Sequence, residues 1–458
     1  MRTLLRAPCS FTLCNLIRFP GMRAKLIASL MLGVFAAHAA DALPADIDKV
    51  SLSRLPQLTR ADMKDDYERR VWDMVHGERT TLLIGPGGIS MYSPKLAESM
   101  HLFNEYVRYK NTVGRQLSET AILVAAREMD QAYEWNSHEN TAHMIGVDAK
   151  AIEVIKNGKE MGSKEFKALG EKERMVIEWG RTLFREHTVK PEIFQRMVAM
   201  FGDKGMYEVT SLMSDYMFAG LLLTAVDQHK MPDAKYDLPK RKIPVARAIA
   251  AAAPTRTAYP AGTDAGSLSR LPLLKCDGLT ANDLRICQMV VGPNRTTAAQ
   301  GPPATSLYSL PVAEAMDMMN RYLGRTVAGP RAFQLASVVG SREFDQQYEY
   351  TAHDPAALRN GVPQSTVDIV KFNKPIPASL GPTPEDAKDL AIIRAGRQLF
   401  QEHKLDSPLW ADLVTHFGKQ GALEVVASMA DYAMVGLMLN AVDQQVPLER
   451  PLLMPLRQ

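Results

Sequence analysis

The 458-residue chain says most things twice. SLSRLP at 51–56 returns at 267–272, REMDQAYEW at 127–135 as REFDQQYEY at 342–350, and GRTLFREH at 180–187 as GRQLFQEH at 396–403. SDYMFAGLLLTAVDQ at 214–228 returns as ADYAMVGLMLNAVDQ at 430–444. The offset is 216 residues, falling to 215 around the central motif. A unit this long is a duplicated domain of ordinary size, whereas solenoids repeat over a few tens of residues. We expect domain 1 over 50–235 and domain 2 over 266–447. Between them, 240–265 is rich in Ala and Pro, lacks amphipathic spacing and reads as a linker.

Both copies read as helical. LSETAILVAARE (117–128) is spaced for a mostly buried helix. DQAYEWNSHENTAHMIG continues as a second helix and stops at Gly146. EKERMVIEWGRTLFREH and YEVTSLMSDYMFAGLLLTAVDQH carry Met, Leu and Phe at helical spacing. MFAGLLLTAV is too short to span a bilayer and is expected to pack a core or a subunit interface. GPGG at 85–88 lacks the Lys-Ser/Thr ending of a phosphate loop and reads as a turn before a helix.

Charge and cysteines bear on compartment. Residues 1–39 hold Arg2, Arg6, Arg18, Arg23 and Lys25 and no acid; without them, 49 basic and 51 acidic residues remain. A near-neutral remainder gives no general attraction to nucleic acid or anionic membranes. Met22-Arg23-Ala24-Lys25, the apolar run 26–35 and Ala37-His38-Ala39 fit a cleaved signal peptide, with Met22 as a candidate start. The expected destination is the periplasm or the outside. Cys276 and Cys287 lie beyond the leader. An oxidising compartment permits a disulfide between them; two unpaired thiols are the alternative.

The central motif carries the chemistry. On a helix Glu134 and His138 are i and i+4 and share a face, so the carboxylate can orient the imidazole and raise its pKa. Glu119 lies 19 residues before His138. Arg127 can bind a substrate carboxylate or hold Glu134, and Tyr133 offers a phenol. The second copy has Arg342, Tyr348, Glu349, Tyr350 and His353. It is one residue shorter between Tyr322 and Tyr350 than the first is between Tyr106 and Trp135. A gap in the preceding loop pairs Glu119 with Gln334, which loses the titratable proton and makes copy one the more competent site. Duplication also preserves structure. For Asp130, Asp215, Asp227, His187 and His403 a structural role is favoured; for Glu119, Arg127, Tyr133, Glu134 and His138 a functional one. Arg79 and Arg295 precede Thr-Thr in both copies and either reach an anion or cap a helix. Glu119, Glu134 and His138 are potential metal ligands, but i,i+4 pairs arise often by chance, and no metal and no cofactor are expected.

The order Glu…Arg…Tyr-Glu-Trp-x-x-His, followed by small residues and a glycine, resembles the carboxymuconolactone decarboxylase and alkylhydroperoxidase D-like superfamily. The resemblance covers both copies, roughly 50–232 and 266–447. It implies an all-α fold of two tandem domains, and assembly into trimers or pseudo-hexamers. Peroxidase members carry CxxC before the histidine; aligned on His138, those cysteines fall on Gln131 and Glu134, and Glu119 falls on the family's glutamate. Thiol peroxidase activity is therefore not expected. The decarboxylase branch works without thiols. The resemblance thus implies acid/base catalysis, a decarboxylation or a lactone/enol isomerisation of a small carboxylated substrate. Glu119, Glu134, His138 and Tyr133 are the expected catalytic groups, and Arg127 and Trp135 the substrate-binding ones. The alternatives are a non-catalytic periplasmic module that binds a small acid or a partner and, less favoured, an antioxidant peroxidase.

Overall fold

A computed structural model describes residues 43–243, 247–292 and 300–457. The proposed leader, 1–39, and Arg295 lie outside these residues. Among the described residues every regular element is a helix. In the first copy these are α1 Asp66–His76, α2 Pro86–Ser90, α3 Pro94–Tyr109, α4 Arg115–Glu128, α5 Ala132–Met144, α6 Ala149–Lys156, α7 Lys164–Lys167, α8 Glu171–Glu186 and α9 Pro191–Ala225. The second copy repeats the series as α10 Ala281–Val291, α11 Pro302–Ser306, α12 Leu310–Leu323, α13 Gly329–Glu343, α14 Gln347–Arg359, α15 Gln364–Lys371, α16 Pro384–Arg397 and α17 Ser407–Ala441. The short α7 has no helical counterpart.

The repeated Asp-Gln dipeptide makes the corner between α4 and α5. Asp130 adopts the left-handed conformation, at φ 51°, and the Gln131 side chain accepts the Tyr133 backbone N–H as an N-cap. Asp345 and Gln346 do the same before α14. Such caps are worth about 1 kcal/mol. The corner fixes how α5 projects Glu134 and His138 relative to α4. The chain leaves α5 near Gly146, at φ 79°, as its sequence suggests.

The final helix of the first copy runs further than its apolar pattern predicts. Helix α9 begins at Pro191, well before Tyr207 where the apolar pattern starts, and α9 and α17 bend at Gly202 and Gly418, at φ 68° and 69°. Each glycine allows a reversed backbone step that would strain any other residue. Beyond the bends almost every side chain is buried. The helix Ser407–Ala441 is long and apolar enough to cross a membrane, yet its apolar stretch is wholly inside the protein.

Helices α9 and α17 pack against each other, and α3 packs against α12, so a single hydrophobic core runs through both copies. Residues from Asp46 onward form one compact unit. The contacts between copies are reciprocal. His187 Nδ1 lies 3.0 Å from Asp345, and His403 Nδ1 lies 2.8 Å from Asp130. Arg54 donates to the Leu405 carbonyl and Arg270 to the Val189 carbonyl, each at 2.7 Å. Ser309 donates to Glu208 at 3.2 Å and Ser93 to Glu424 at 2.9 Å. Residue i meets j′ while i′ meets j, the signature of a two-fold interface, here within one chain. This explains the repetition of SLSRLP and of the Glu-His ending GRxLFxEH.

The segments after α9 and α17 strap back over their own copies. Arg241 binds Glu128 and Asp130, and Arg457 binds Glu343 and Asp345. The expected linker therefore begins as an anchored strap. Cys276 and Cys287 are joined by a disulfide that ties the approach segment to α10, with Cα atoms 5.8 Å apart.

Candidate active site

The first copy encloses a cavity of about 960 Å³ between α1, α3, α5, α9 and the loop 77–85. Each wall contributes a polar group. Helix α5 supplies Tyr133, Glu134 and His138; α3 supplies Asn104 and Arg108; α9 supplies Asp215 and Tyr216. The remaining wall is largely apolar, including Leu83, Met100 and Ala219.

His138 is buried on α5, and its Nδ1 lies 2.6 Å from Glu119 Oε2 on α4. Its Nε2 lies 3.5 Å from Glu134 Oε2. The ring edge meets Tyr216, centroids 4.8 Å apart. The orienting carboxylate is thus Glu119, correcting the expectation that Glu134 holds the ring. Nδ1–H donates to Glu119, which leaves the Nε2 lone pair toward the cavity and Glu134.

The electrostatics separate the two glutamates. Burial disfavours the Glu119 charge, but the hydrogen bond from His138 and the cations Arg108 and Arg115 outweigh it, so its pKa falls below the ordinary value. Glu134 is pushed up to about 8, chiefly by burial, with Arg108 opposing. Its Oε1 is buried and has no hydrogen-bond partner within the protein. Burial pulls His138 below the usual histidine value, against the pull of Glu119. At neutral pH the site therefore holds an ionised Glu119, a neutral imidazole and a protonated Glu134. A base and an acid stand side by side, the separation of pKa values that marks acid/base pairs.

Arg108 is the arginine of the cavity lining that stands beside Glu119. Its Nη2 lies 3.4 Å from Glu119 Oε1, and its Nε is buried without a partner. Burial works against its charge, but neighbouring Tyr216 and Glu119 outweigh it and raise its pKa. Asp215 accepts a 2.7 Å hydrogen bond from Asn104 and is pushed up to about 7 by burial. Tyr133 stands over Gly85; a Cβ there would collide with the tyrosine ring, so the glycine of GPGG makes room for the phenol at the cavity wall. Burial raises the Tyr133 pKa.

Two expected substrate-binding residues lie elsewhere. Arg127 is buried beside the strap, donates to the Pro239 carbonyl at 2.7 Å and sits 3.7 Å from Asp130. Arg342 donates to the Pro455 carbonyl at 2.8 Å. Neither lines the cavity; the arginine in the last turn of α4 bonds to the strap instead. Trp135 points into the core and donates to Glu139, which also pairs with Lys156 at 3.0 Å. Its counterpart Tyr350 is likewise buried. Arg79 caps α1 through the Val75 and His76 carbonyls, and its side chain also reaches the cavity wall.

Arg108, Asn104, Asp215 and Tyr216 are among the cavity residues not singled out for function from sequence. Asp215 and Tyr216 carried only a weak signal, since Asp-Tyr recurs in both copies but so do the Gly-Leu and AVDQ of the same stretch. Arg108 carried none, because comparing the copies favours what is shared and its counterpart is Gly324.

The second copy keeps the geometry and loses the charge. His353 Nδ1 lies 2.7 Å from Gln334 Oε1, and Nε2 lies 3.6 Å from Glu349. Glu349 is pushed up to about 8 and His353 down to about 4, both by burial. Gln334, Gly324 and Pro330 stand where the first copy has Glu119, Arg108 and Arg115. Phe333 adds a ring beside His353 and Tyr432, with centroids 6.3 Å and 5.8 Å away. Tyr348 donates to the Gln300 carbonyl at 2.9 Å.

Searches against protein-family models, curated proteins and solved structures returned no match to this chain.

Proposed function

We propose that this protein is a carboxymuconolactone decarboxylase-like enzyme of the periplasm or cell exterior. It performs acid/base chemistry on a small carboxylated substrate and assembles through further copies of the chain. The observation that carries this reading is the pairing, in one cavity, of His138 Nε2 with the buried carboxyl of Glu134 at 3.5 Å, with Arg108 in the same lining. His138 takes a proton from the substrate and Glu134 gives one; Glu119 fixes the imidazole tautomer and stabilises the imidazolium that forms. Arg108 takes over the anion-binding role expected of Arg127. Tyr133 and Asp215 are further donors to an oxygen that gains charge.

The second copy favours a different reading for itself. With Gln334 for Glu119 and Gly324 for Arg108, it lacks the counterparts of the carboxylate that supports a transient imidazolium and of the arginine beside it. A binding or structural role fits it better.

The test is turnover of a panel of carboxylated lactones and aromatic-derived acids, including 4-carboxymuconolactone, followed by carbon dioxide release and mass spectrometry. Turnover should fall by at least about 100-fold in His138→Ala and substantially in Glu119→Gln, and persist in His353→Ala. Equal losses in the two histidine variants would remove the asymmetry between copies. A folded wild type that binds a panel member without converting it would make copy one a binding module as well.

A further inference from the structure

We propose that the cavity of the first copy enolises a small oxo acid, with the substrate carboxylate on Arg108, its carbonyl oxygen at the Glu134 carboxyl and its α-C–H bond facing His138 Nε2. This rests on the acid/base reading above and narrows it to one substrate class and one proton path.

Three unused valences define the path. Glu119 occupies Nδ1 of His138, so Nε2 is the nitrogen left to act. Glu134 places Oε2 3.5 Å from that nitrogen and keeps Oε1 buried and unpartnered. Arg108 keeps its Nε buried and unpartnered, and its one contact to Glu119 is long, at 3.4 Å. A buried donor or acceptor without a partner is destabilising by roughly 1–3 kcal/mol. Two of them, Glu134 Oε1 and Arg108 Nε, on residues lining one cavity beside His138 Nε2 call for a ligand with matching groups.

The spacing selects the chemistry. In an oxo compound the carbon that loses the proton and the oxygen that gains one are roughly 2.4 Å apart, from standard C–C and C=O bond lengths. An acid and a base 3.5 Å apart on adjacent turns of one helix can reach both atoms at once. Arg108 argues against loss of the carboxylate it holds. Departure of carbon dioxide removes the negative charge from that group, so the arginine would bind the ground state better than the transition state and raise the barrier. In enolisation the carboxylate keeps its charge throughout and serves as a handle.

The step balances without a co-reactant. The Nε2 lone pair takes the α-proton, the C–H electrons form the C=C bond, and the carbonyl π pair takes the Glu134 proton. The enol forms beside an imidazolium and a carboxylate that attract each other, with Glu119 behind the ring. Return of the proton to the same carbon exchanges it with solvent; return to a conjugated carbon further along completes an isomerisation. Leu83, Met100 and Ala219 supply the apolar wall for the hydrocarbon part and keep bulk water from the pair.

The experiment uses the full chain in deuterium oxide with 2-oxobutanoate or phenylpyruvate, and with 2-butanone as an uncharged comparison. Loss of the α-proton is followed by proton NMR and carbon dioxide is measured on the same samples. Exchange of the oxo acids at least about 100-fold above the protein-free rate, with no carbon dioxide, is expected. His138→Gln should return exchange to the protein-free rate. Arg108→Met should lower it about 10-fold or more for the oxo acids, one well-placed charged hydrogen bond's worth, a clearly larger loss than for butanone. Carbon dioxide release without deuterium in recovered substrate would overturn enolisation and leave the acid/base reading standing. Neither exchange nor carbon dioxide, from protein with an unchanged circular dichroism spectrum, would overturn both. Exchange that survives in His138→Gln would overturn the assigned base.

Discussion

Two chemically identical glutamates are set to opposite tasks by their surroundings. Glu119 meets His138, Arg108 and Arg115 and stays ionised, whereas Glu134 meets burial and little else and holds its proton. Glu134, Asp215, Glu349 and Asp431 form a buried set with pKa values pushed up to about 8, 7, 8 and 7, in each case chiefly by burial. The consequence for stability has a definite sign. A carboxyl raised in the folded state is protonated there while its unfolded counterpart has already ionised. Its contribution is therefore complete below the ordinary carboxyl value and is lost as pH rises toward 7–8. The melting temperature should accordingly fall between pH 5 and 8, after allowance for groups that shift the other way. Glu134→Gln combined with Glu349→Gln should flatten that slope. A slope unchanged in the double variant, measured by calorimetry, would show that these carboxyls ionise normally.

At the scale of the element, the α4–α5 corner divides the repeated motif into two sides. Glu134 and His138 line the cavity with Glu119 bonded to the ring from α4, while Arg127 faces the strap with Asp130. A helix turns about 100° per residue, so residues close in sequence serve opposite surfaces. The repeated Asp-Gln sets the angle and the strap arginines lock it. Arg127→Leu should therefore destabilise the protein by about 2–4 kcal/mol, because Asp130 and the Pro239 carbonyl lose a buried partner, and should leave KM for any substrate unchanged. A rise in KM with stability intact would restore Arg127 to the site. The helical elements themselves were legible in the apolar spacing. The early start of α9 was not, because Gly202 breaks the periodicity on which that reading depends.

Across the whole molecule, duplication has produced an internal two-fold interface. The reciprocal pairs His187–Asp345 and His403–Asp130 sit at the ends of long helices whose apolar faces cover each other. Separating the copies would expose those faces and take from the buried Glu208 and Glu424 the hydroxyl donors that the opposite copy supplies. The fragment 46–243 expressed alone should therefore self-associate or fail to fold, rather than behave as a monomer. Sedimentation analysis checks this, and a stable, monomeric fragment would refute it. The two Asp-His pairs are split across 158 and 273 residues, so no local pattern announces them.

The sequence by itself determined the duplication, the helical class and the Glu119–Glu134–His138 constellation, because helix periodicity and repeated motifs are local properties of a chain. It could place Glu134 and His138 on one face, since four residues make one turn. Only the tertiary structure decided that Glu119 rather than Glu134 holds the imidazole, that Arg108 rather than Arg127 lines the cavity, and that Asp215 closes the wall. Those outcomes depend on which faces of α3, α4, α5 and α9 meet, and on how much water each carboxyl loses when they do. Burial and long-range contact are properties of the packed molecule, and no spacing along the chain encodes them directly.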